Sequence, residues 1–230
     1  MPKILFILKR RHDYNAEKHQ KLNLSTGLYN SAAFMNDMLN NNDIESKIVV
    51  VVDNNAIDKE VSQYKPTHVI IEALWVVPSK FLVLNKLHPN VKWIVRLHSE
   101  IPFLANEGVA FDWIGDYINF PNVYIGVNAP RALEDIREFI KAKTYPNIHQ
   151  NEIEDKIVYL PNYYPQEYKQ KKFDKNKDYV DVACFGAIRP LKNHMIQAVA
   201  ALKFAEKINK KLLAIVKFTF GISIFIKISP

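Results

Sequence analysis

The stretch Asp181-Val-Ala-Cys-Phe-Gly-Ala-Ile-Arg-Pro-Leu-Lys-Asn-His194 decides the fold class of this chain. An apolar run ends at Gly186, and an apolar-periodic segment follows over residues 195–204, so the stretch predicts a strand, a tight turn and a helix. Arg189 and Lys192 fall in the turn, where a parallel α/β sheet binds phosphate at the start of a helix. Because arginine forms paired hydrogen bonds to anions and lysine adds a point charge, the turn predicts an anion site.

Strand-like and helix-like segments alternate along the chain from its first residues. This spacing is typical of βαβ units and predicts an α/β fold with a doubly wound parallel sheet. The predicted strands span residues 4–8, 47–52, 68–73, 91–97, 122–127, 156–160 and 181–185. The predicted helices span residues 28–39 (after a cap at Ser25 or Thr26), 56–64, 78–87, 103–118 with a break near Gly108, 130–142 and 195–204.

A polar, lysine-rich segment over residues 165–177 predicts a linker between two domains. Residues 1–164 form the expected N-terminal domain, and residues 178–230 form an incomplete second domain of the same Rossmann-like class. The apolar tail is rich in β-branched and aromatic residues, which favours strands over a membrane helix. Since about 50 residues bury little surface by themselves, we expect a truncated gene or a reading-frame change shortly after Glu206.

The chain of 230 residues carries a formal net charge of +7. A basic surface suits anionic partners such as nucleotides, phosphosugars, nucleic acid or acidic lipids, and it does not choose among them. The single cysteine excludes an internal disulfide and fits a reducing compartment. The first apolar run is too short for a signal peptide, so we expect a cytoplasmic protein.

Polar residues follow the predicted strands at their carboxyl ends, where doubly wound sheets bind ligands. His98 ends one buried strand and can hydrogen-bond a hydroxyl or a phosphate, or share a proton. Glu100, Asn162 and Gly27 are further substrate-binding candidates at this edge. Glu72 also ends a strand and can bind hydroxyl groups, but we favour its interpretation as a solvated or paired carboxylate.

Several signatures are missing from the sequence. It contains no Gly-x-Gly-x-x-Gly after the first strand, no P-loop and no Gly-x-Ser-x-Gly elbow. The spacing of histidine, cysteine and acidic residues gives no zinc site and no dedicated site for another metal. The residues therefore imply neither a dinucleotide cofactor nor a metal ion.

Three local patterns resemble the nucleotide-sugar glycosyltransferases of the GT-B fold, in particular the retaining family 4 group. Val158-Tyr-Leu-Pro-Asn-Tyr163 is similar to the strand and Pro-Asn that close the N-terminal domain of that family. Phe185-Gly-Ala-Ile-Arg-Pro-Leu-Lys-Asn193 is similar to its Gly-x-x-Arg-x-x-Lys turn, and Arg-Leu-His98 is similar to its strand-end histidine. The resemblance extends over the N-terminal domain, the linker and the first strand, turn and helix of the second domain.

The resemblance implies a role for each matching residue. Arg189 and Lys192 would hold the diphosphate of a nucleoside diphosphate sugar and stabilise the leaving group, and His98 would lie near the reacting sugar. Gly186 would let the backbone of the turn approach the donor. The basic loop at residues 9–23 would border the acceptor, which can be a glycan, a lipid-linked sugar or modified nucleic acid. The donor is then a substrate, and neither a cofactor nor a metal is implied.

The chain departs from that family in one respect. The family has a Glu-x7-Glu pair further along its second domain, which binds the donor sugar and the nucleotide ribose, whereas Glu206 is the last carboxylate here. The expectation is a glycosyltransferase by origin whose activity in this form is open, because positioning of the donor supplies much of the rate. A partner chain that completes the second domain is one expected partner.

A non-catalytic module that binds glycan or nucleic acid, derived from a glycosyltransferase, is the alternative that the sequence leaves open. Attachment to a membrane surface through the apolar, lysine-containing tail is a third, weaker hypothesis, so membrane association is not expected. Salt-sensitive DNA binding would point to a nucleic-acid acceptor.

Overall fold

The structure is a computed structural model, and it describes residues 1–9, 27–142, 150–165, 177–185, 193–217 and 223–228. These residues belong to two compact units, the first of which ends at Pro165. The strands of the first unit are β1 (Lys3–Lys9), β2 (Glu45–Val51), β3 (His68–Glu72), β4 (Lys92–Leu97), β5 (Val123–Val127) and β6 (Ile157–Tyr159). Its helices are α1 (Gly27–Asn40), α2 (Ile57–Tyr64), α3 (Lys80–Leu87), α4 (Ile101–Leu104), α5 (Ala110–Ile118), α6 (Pro130–Lys141) and α7 (Gln150–Ile153), and a 3₁₀ turn, Glu154–Lys156, precedes β6.

The first unit contains one parallel sheet of six strands in the order β2-β1-β3-β4-β5-β6. The order reverses between β1 and β3, because the chain first moves outward to β2 and then returns past β1. Right-handed crossovers in opposite directions place helices on opposite faces of a sheet. The predicted α/β fold with a doubly wound parallel sheet is therefore confirmed for this unit.

Two apolar clusters cover the two faces of this sheet. Alternate strand residues such as Ile71, Val95 and Ile125 join the larger cluster with side chains of α2, α3, α5 and α6. The residues between them, such as Phe6 and Ile70, pack against α1 in the smaller cluster. Because side chains alternate along a strand, β1 to β4 contribute to both clusters, which accounts for the apolar runs in their sequences.

The predicted break near Gly108 is confirmed. Helix α4 ends at Leu104 and α5 begins at Ala110, and Gly108 lies between them with φ of +51°. Glycine adopts this left-handed conformation at little cost, so the segment turns there instead of continuing as one helix.

The second unit has β7 (Tyr179–Phe185), α8 (His194–Lys207), β8 (Lys211–Lys217) and β9 (Ser223–Ile228). Strands β7 and β8 are parallel, as α8 connects them in a βαβ unit, and β9 pairs with β8 in the antiparallel direction. The prediction of strands in the tail is confirmed by β8 and β9. The predicted linker over residues 165–177 lies almost entirely outside the described residues, and an incomplete second Rossmann-like domain stays a prediction.

In the part of the chain that the structure describes, no helix combines the length and the apolar composition that crossing a bilayer requires.

Candidate functional site

Glu72, the last residue of β3, is fully buried at the carboxyl edge of the sheet. Its Oε1 accepts a hydrogen bond from Arg96 Nη1 at 3.1 Å, and its Oε2 lies 2.5 Å from His98 Nε2. A buried carboxylate is costly unless it is paired and hydrogen-bonded, and this one has a partner on each oxygen. Of the two expected states of Glu72, a solvated or a paired carboxylate, the structure therefore shows the paired one.

Arg96 lies in β4 beside Glu72 and is also fully buried. Its Nη2 donates to Asn162 Oδ1 at 2.7 Å and to the carbonyl oxygen of Pro161 at 3.2 Å. The guanidinium thus connects β3 to the segment after β6 and crosses the position of β5, where Gly126 is its neighbour in register. The planar fork of arginine makes this possible, because it offers donors in several fixed directions.

Asn162 connects the cluster to the helix on the same face of the sheet. Its Oδ1 accepts from Arg96 and also from Ser31 Oγ of α1, at 2.8 Å. Its Nδ2 lies 3.3 Å from the hydroxyl of Tyr164, to which it donates. We define Glu72, Arg96, His98, Asn162 and Ser31 as the strand-end cluster, because all of them lie at the carboxyl edge of the sheet or on the first turns of α1.

The segment after β3 is held firmly beside the strand-end cluster. Ala73 has φ of +69°, a left-handed conformation that is unfavourable for a residue with a Cβ atom, and its N–H donates to the carbonyl of Arg96 at 3.0 Å. Trp75 Nε1 donates to the carbonyl of Glu72 at 3.0 Å. The buried hydroxyl of Tyr117 donates to the carbonyl of Val76, and burial raises the pKa of Tyr117, so this phenol stays protonated as a donor.

His98 is the most accessible titratable member of the cluster. It follows β4 directly, and 19% of its side chain is exposed, whereas Glu72 and Arg96 are closed off from solvent. At this edge of the sheet, the partly exposed imidazole of His98 therefore contacts the buried ion pair of Glu72 and Arg96. Such an imidazole can donate or accept one hydrogen bond with a ligand, and it can exchange a proton.

The other predicted site residues fall into two groups. Gly27 is the exposed first residue of α1, and Glu100 directly precedes α4, where its carbonyl oxygen accepts from the N–H groups of Phe103 and Leu104, both at 3.0 Å. The structure does not join either residue to the strand-end cluster through a hydrogen bond or an ion pair between described residues. Gly186, Arg189 and Lys192 lie outside the described residues, as does most of the predicted basic loop at residues 9–23. Their roles stay predictions.

Glu72 and Arg96 were expected only as polar residues at strand ends, and their pairing with each other was not predicted. The sequence does contain a signal for them. His68-Val-Ile-Ile-Glu72 and Lys92-Trp-Ile-Val-Arg96 are apolar strands that carry opposite charges at corresponding positions. When two such strands are neighbours in a parallel sheet, their charged ends meet. Ser31 had no comparable signal, because its partner Asn162 is 131 residues away in the chain.

Among the described residues, no group of three or more His, Cys, Asp or Glu side chains is arranged to hold a metal ion.

Comparison with known proteins does not assign the chain to a family, since no protein-family model, no curated protein and no solved structure matches it.

Proposed function

We propose that the chain is a glycosyltransferase of the GT-B type. In this proposal the first unit binds the acceptor, and the second unit is the start of the domain that binds the donor. The observation that carries the proposal is His98, held by a buried carboxylate at the carboxyl edge of a doubly wound sheet. Ligands of such sheets bind at this edge. The three sequence patterns that resemble retaining family 4 support the same function, and Asn162 of the Pro-Asn pattern belongs to the strand-end cluster.

The chemistry of transfer divides between the two ends of the donor. The departing diphosphate gains charge, and Arg189 and Lys192 would stabilise it by charge-assisted hydrogen bonds without a metal ion. The sugar is recognised mainly through its hydroxyl groups, and His98 would supply one directed hydrogen bond to them. The incomplete second Rossmann-like domain is part of this proposal, and a partner chain would supply the remainder of the nucleotide site.

Titration calorimetry with UDP-, GDP- and ADP-sugars tests the donor assignment. We expect one of these donors to bind, and Arg189→Ala and Lys192→Ala each to weaken that binding about 10-fold or more, because a hydrogen bond to a charged group contributes about 1.5–3 kcal/mol. Lys203→Ala is the matched control, since Lys203 is an exposed lysine on α8. Equal affinity in wild type and both site variants would contradict the assignment of the turn.

The alternative, a non-catalytic glycan- or nucleic-acid-binding module, predicts a different set of results. Such a module would bind free glycans or DNA in the absence of any nucleotide sugar. DNA binding would weaken steeply with salt because phosphate contacts release counterions. Binding of a glycan or of DNA by wild type, together with no binding of any nucleotide sugar, would favour the module over the transferase.

A further inference from the structure

Each oxygen of the Glu72 carboxylate has a hydrogen-bond partner, Arg96 on one and His98 on the other. The two partners differ, because arginine can only donate whereas histidine can donate, accept or carry a charge. Arg96 only donates and remains positively charged at all relevant pH values. Its guanidinium lies 3.1 Å from Oε1, and both side chains are closed off from solvent. Arg96 therefore neutralises the ionised carboxylate, so the second contact, to His98, does not require a charged imidazole.

The contact between Glu72 and His98 has a direction. An ionised carboxylate only accepts hydrogen bonds, and the Oε2 atom lies 2.5 Å from Nε2 of His98. Nε2 must therefore carry a hydrogen, whichever charge the ring has. Since Arg96 already supplies the compensating positive charge, the neutral ring with its hydrogen on Nε2 satisfies the site, and Nδ1 is then a bare acceptor.

Nδ1 of His98 is also open to a ligand. It has no hydrogen-bond partner among the described residues, and it is not one of the buried nitrogen atoms that lack a partner. The accessible part of this partly exposed side chain therefore includes Nδ1. A ligand that approaches the carboxyl edge of the sheet meets an acceptor there, and its matching group is a hydrogen-bond donor such as a hydroxyl.

We propose that Glu72 is a positioning residue that fixes His98 in the tautomer with its hydrogen on Nε2, so that Nδ1 accepts a hydrogen bond from a hydroxyl group of the ligand. The choice of a sugar hydroxyl rests on the function proposed above, whereas the tautomer follows from Glu72 and Arg96 alone. The ligand class is a sugar or another polyol. Arg96 donates to the other oxygen of the carboxylate and balances its charge.

The test is a long-range ¹H–¹⁵N correlation spectrum of the full chain at pH 7.5, with ¹⁵N-labelled histidine. The spectrum distinguishes a bare ring nitrogen from one that carries hydrogen, and His98→Asn identifies the His98 signals among those of the seven histidines. We expect Nδ1 of His98 to be bare and Nε2 to carry hydrogen in wild type. A bare Nε2, or hydrogen on both nitrogens, would overturn the proposal, and this measurement needs no variant that disturbs the core.

Glu72→Gln gives a sharper result if it folds. The amide has one accepting oxygen, which must face Arg96 because arginine only donates, so the donating NH₂ group faces His98. We expect the tautomer to reverse, with the hydrogen moving to Nδ1 and Nε2 becoming the acceptor. Asp58→Asn is the matched control, because it makes the same chemical change beside His88, whose Nε2 lies 2.8 Å from Asp58 Oδ1. An unchanged His98 tautomer in folded Glu72→Gln would overturn the role of Glu72.

The ligand part of the proposal has its own readout. When a nucleotide sugar that binds is added, the bare Nδ1 signal of His98 should move upfield as it accepts a hydrogen bond. A bound sugar that leaves this signal in place would overturn the contact at Nδ1. Absence of nucleotide-sugar binding would instead overturn the proposed function, and the wild-type tautomer would still decide the role of Glu72.

Discussion

Replacement of Arg96 by methionine should destabilise the first unit severely. Arg96 is buried, donates to Glu72, Asn162 and the carbonyl of Pro161, and is the fixed positive charge beside a buried carboxylate. Removal of one partner from a buried ion pair costs about 3–5 kcal/mol, because the remaining charge is uncompensated. This is a large part of the roughly 5–15 kcal/mol that stabilises a domain.

Urea unfolding followed by tryptophan fluorescence measures the loss of unfolding free energy in the first unit. The three tryptophans, Trp75, Trp93 and Trp113, all belong to the first unit. With a urea slope of about 1–3 kcal/mol per molar for a small domain, the midpoint should fall by roughly 2 M. Arg131→Ala is the surface control: Arg131 is 79% exposed and its contact with Asp135 is 3.7 Å long, so we expect a change below about 0.5 kcal/mol.

A double-mutant cycle isolates the reason for the loss. Glu72→Gln removes the charge that Arg96 compensates, so Glu72→Gln combined with Arg96→Met should be destabilised less than the sum of the two single variants. The coupling of contacting groups in one network is about 0.5–3 kcal/mol. A loss below about 1 kcal/mol in Arg96→Met, or strict additivity in the double variant, would refute the view that the two charges compensate each other.

Two further predictions concern the sheet around this cluster. Burial lowers the pKa of Lys156 from its ordinary 10.5 to about 8, so the unfolded chain binds more protons between these values and the free energy of unfolding should rise with pH across that window. The rise should be at most about 3 kcal/mol, because hydrogen bonds from the ammonium to the carbonyl oxygens of Phe120, Pro121 and Val123 favour its charged form in the folded chain. The rise should disappear in Lys156→Met, and parallel pH curves of the two proteins in urea unfolding would contradict this. A Cβ atom at Gly126 would lie 3.0 Å from Ile94 Cγ2, so Gly126→Val should cost about 1–3 kcal/mol by overpacking. Gly126→Ala, the smaller control, should stay within about 1 kcal/mol by the same assay, and a fully stable valine variant would show that the space can open.

Much of the first unit could be predicted from the sequence because a parallel sheet leaves strong local signals. Strands buried on both faces are continuous apolar runs, and helices covered on one side are periodic. The predicted strand at residues 68–73 and β3 differ by one residue, and the break at Gly108 was visible because glycine interrupts an apolar helix. The boundaries of β2 were less clear, since it begins with the charged residue Glu45 instead of at residue 47.

The order and register of the strands could not be predicted in the same way. Sequence order does not say that β1 lies between β2 and β3, and nothing local fixes which residues of β3 and β4 lie side by side. The site depends on that register: a shift of one residue would turn Arg96 to the opposite face, away from Glu72. The candidate at His98 could be found from its place at a strand end, whereas its partner required the fold.

The strand-end cluster is better explained by the geometry of a site than by stability. A buried ion pair adds little to the free energy of unfolding compared with apolar residues of the same volume, because the desolvation of both charges offsets their attraction. An apolar pair at Glu72 and Arg96 would fill the same volume between the strands. It would leave His98 without a fixed acceptor for Nε2, and it would remove the donor of Asn162 and of the Pro161 carbonyl. Both charges together can hold a neutral imidazole in a defined orientation at the edge of the sheet where ligands bind. The double-mutant cycle and the tautomer of His98 therefore measure two consequences of one cause, namely that Arg96 balances the charge of Glu72 and Glu72 orients the ring.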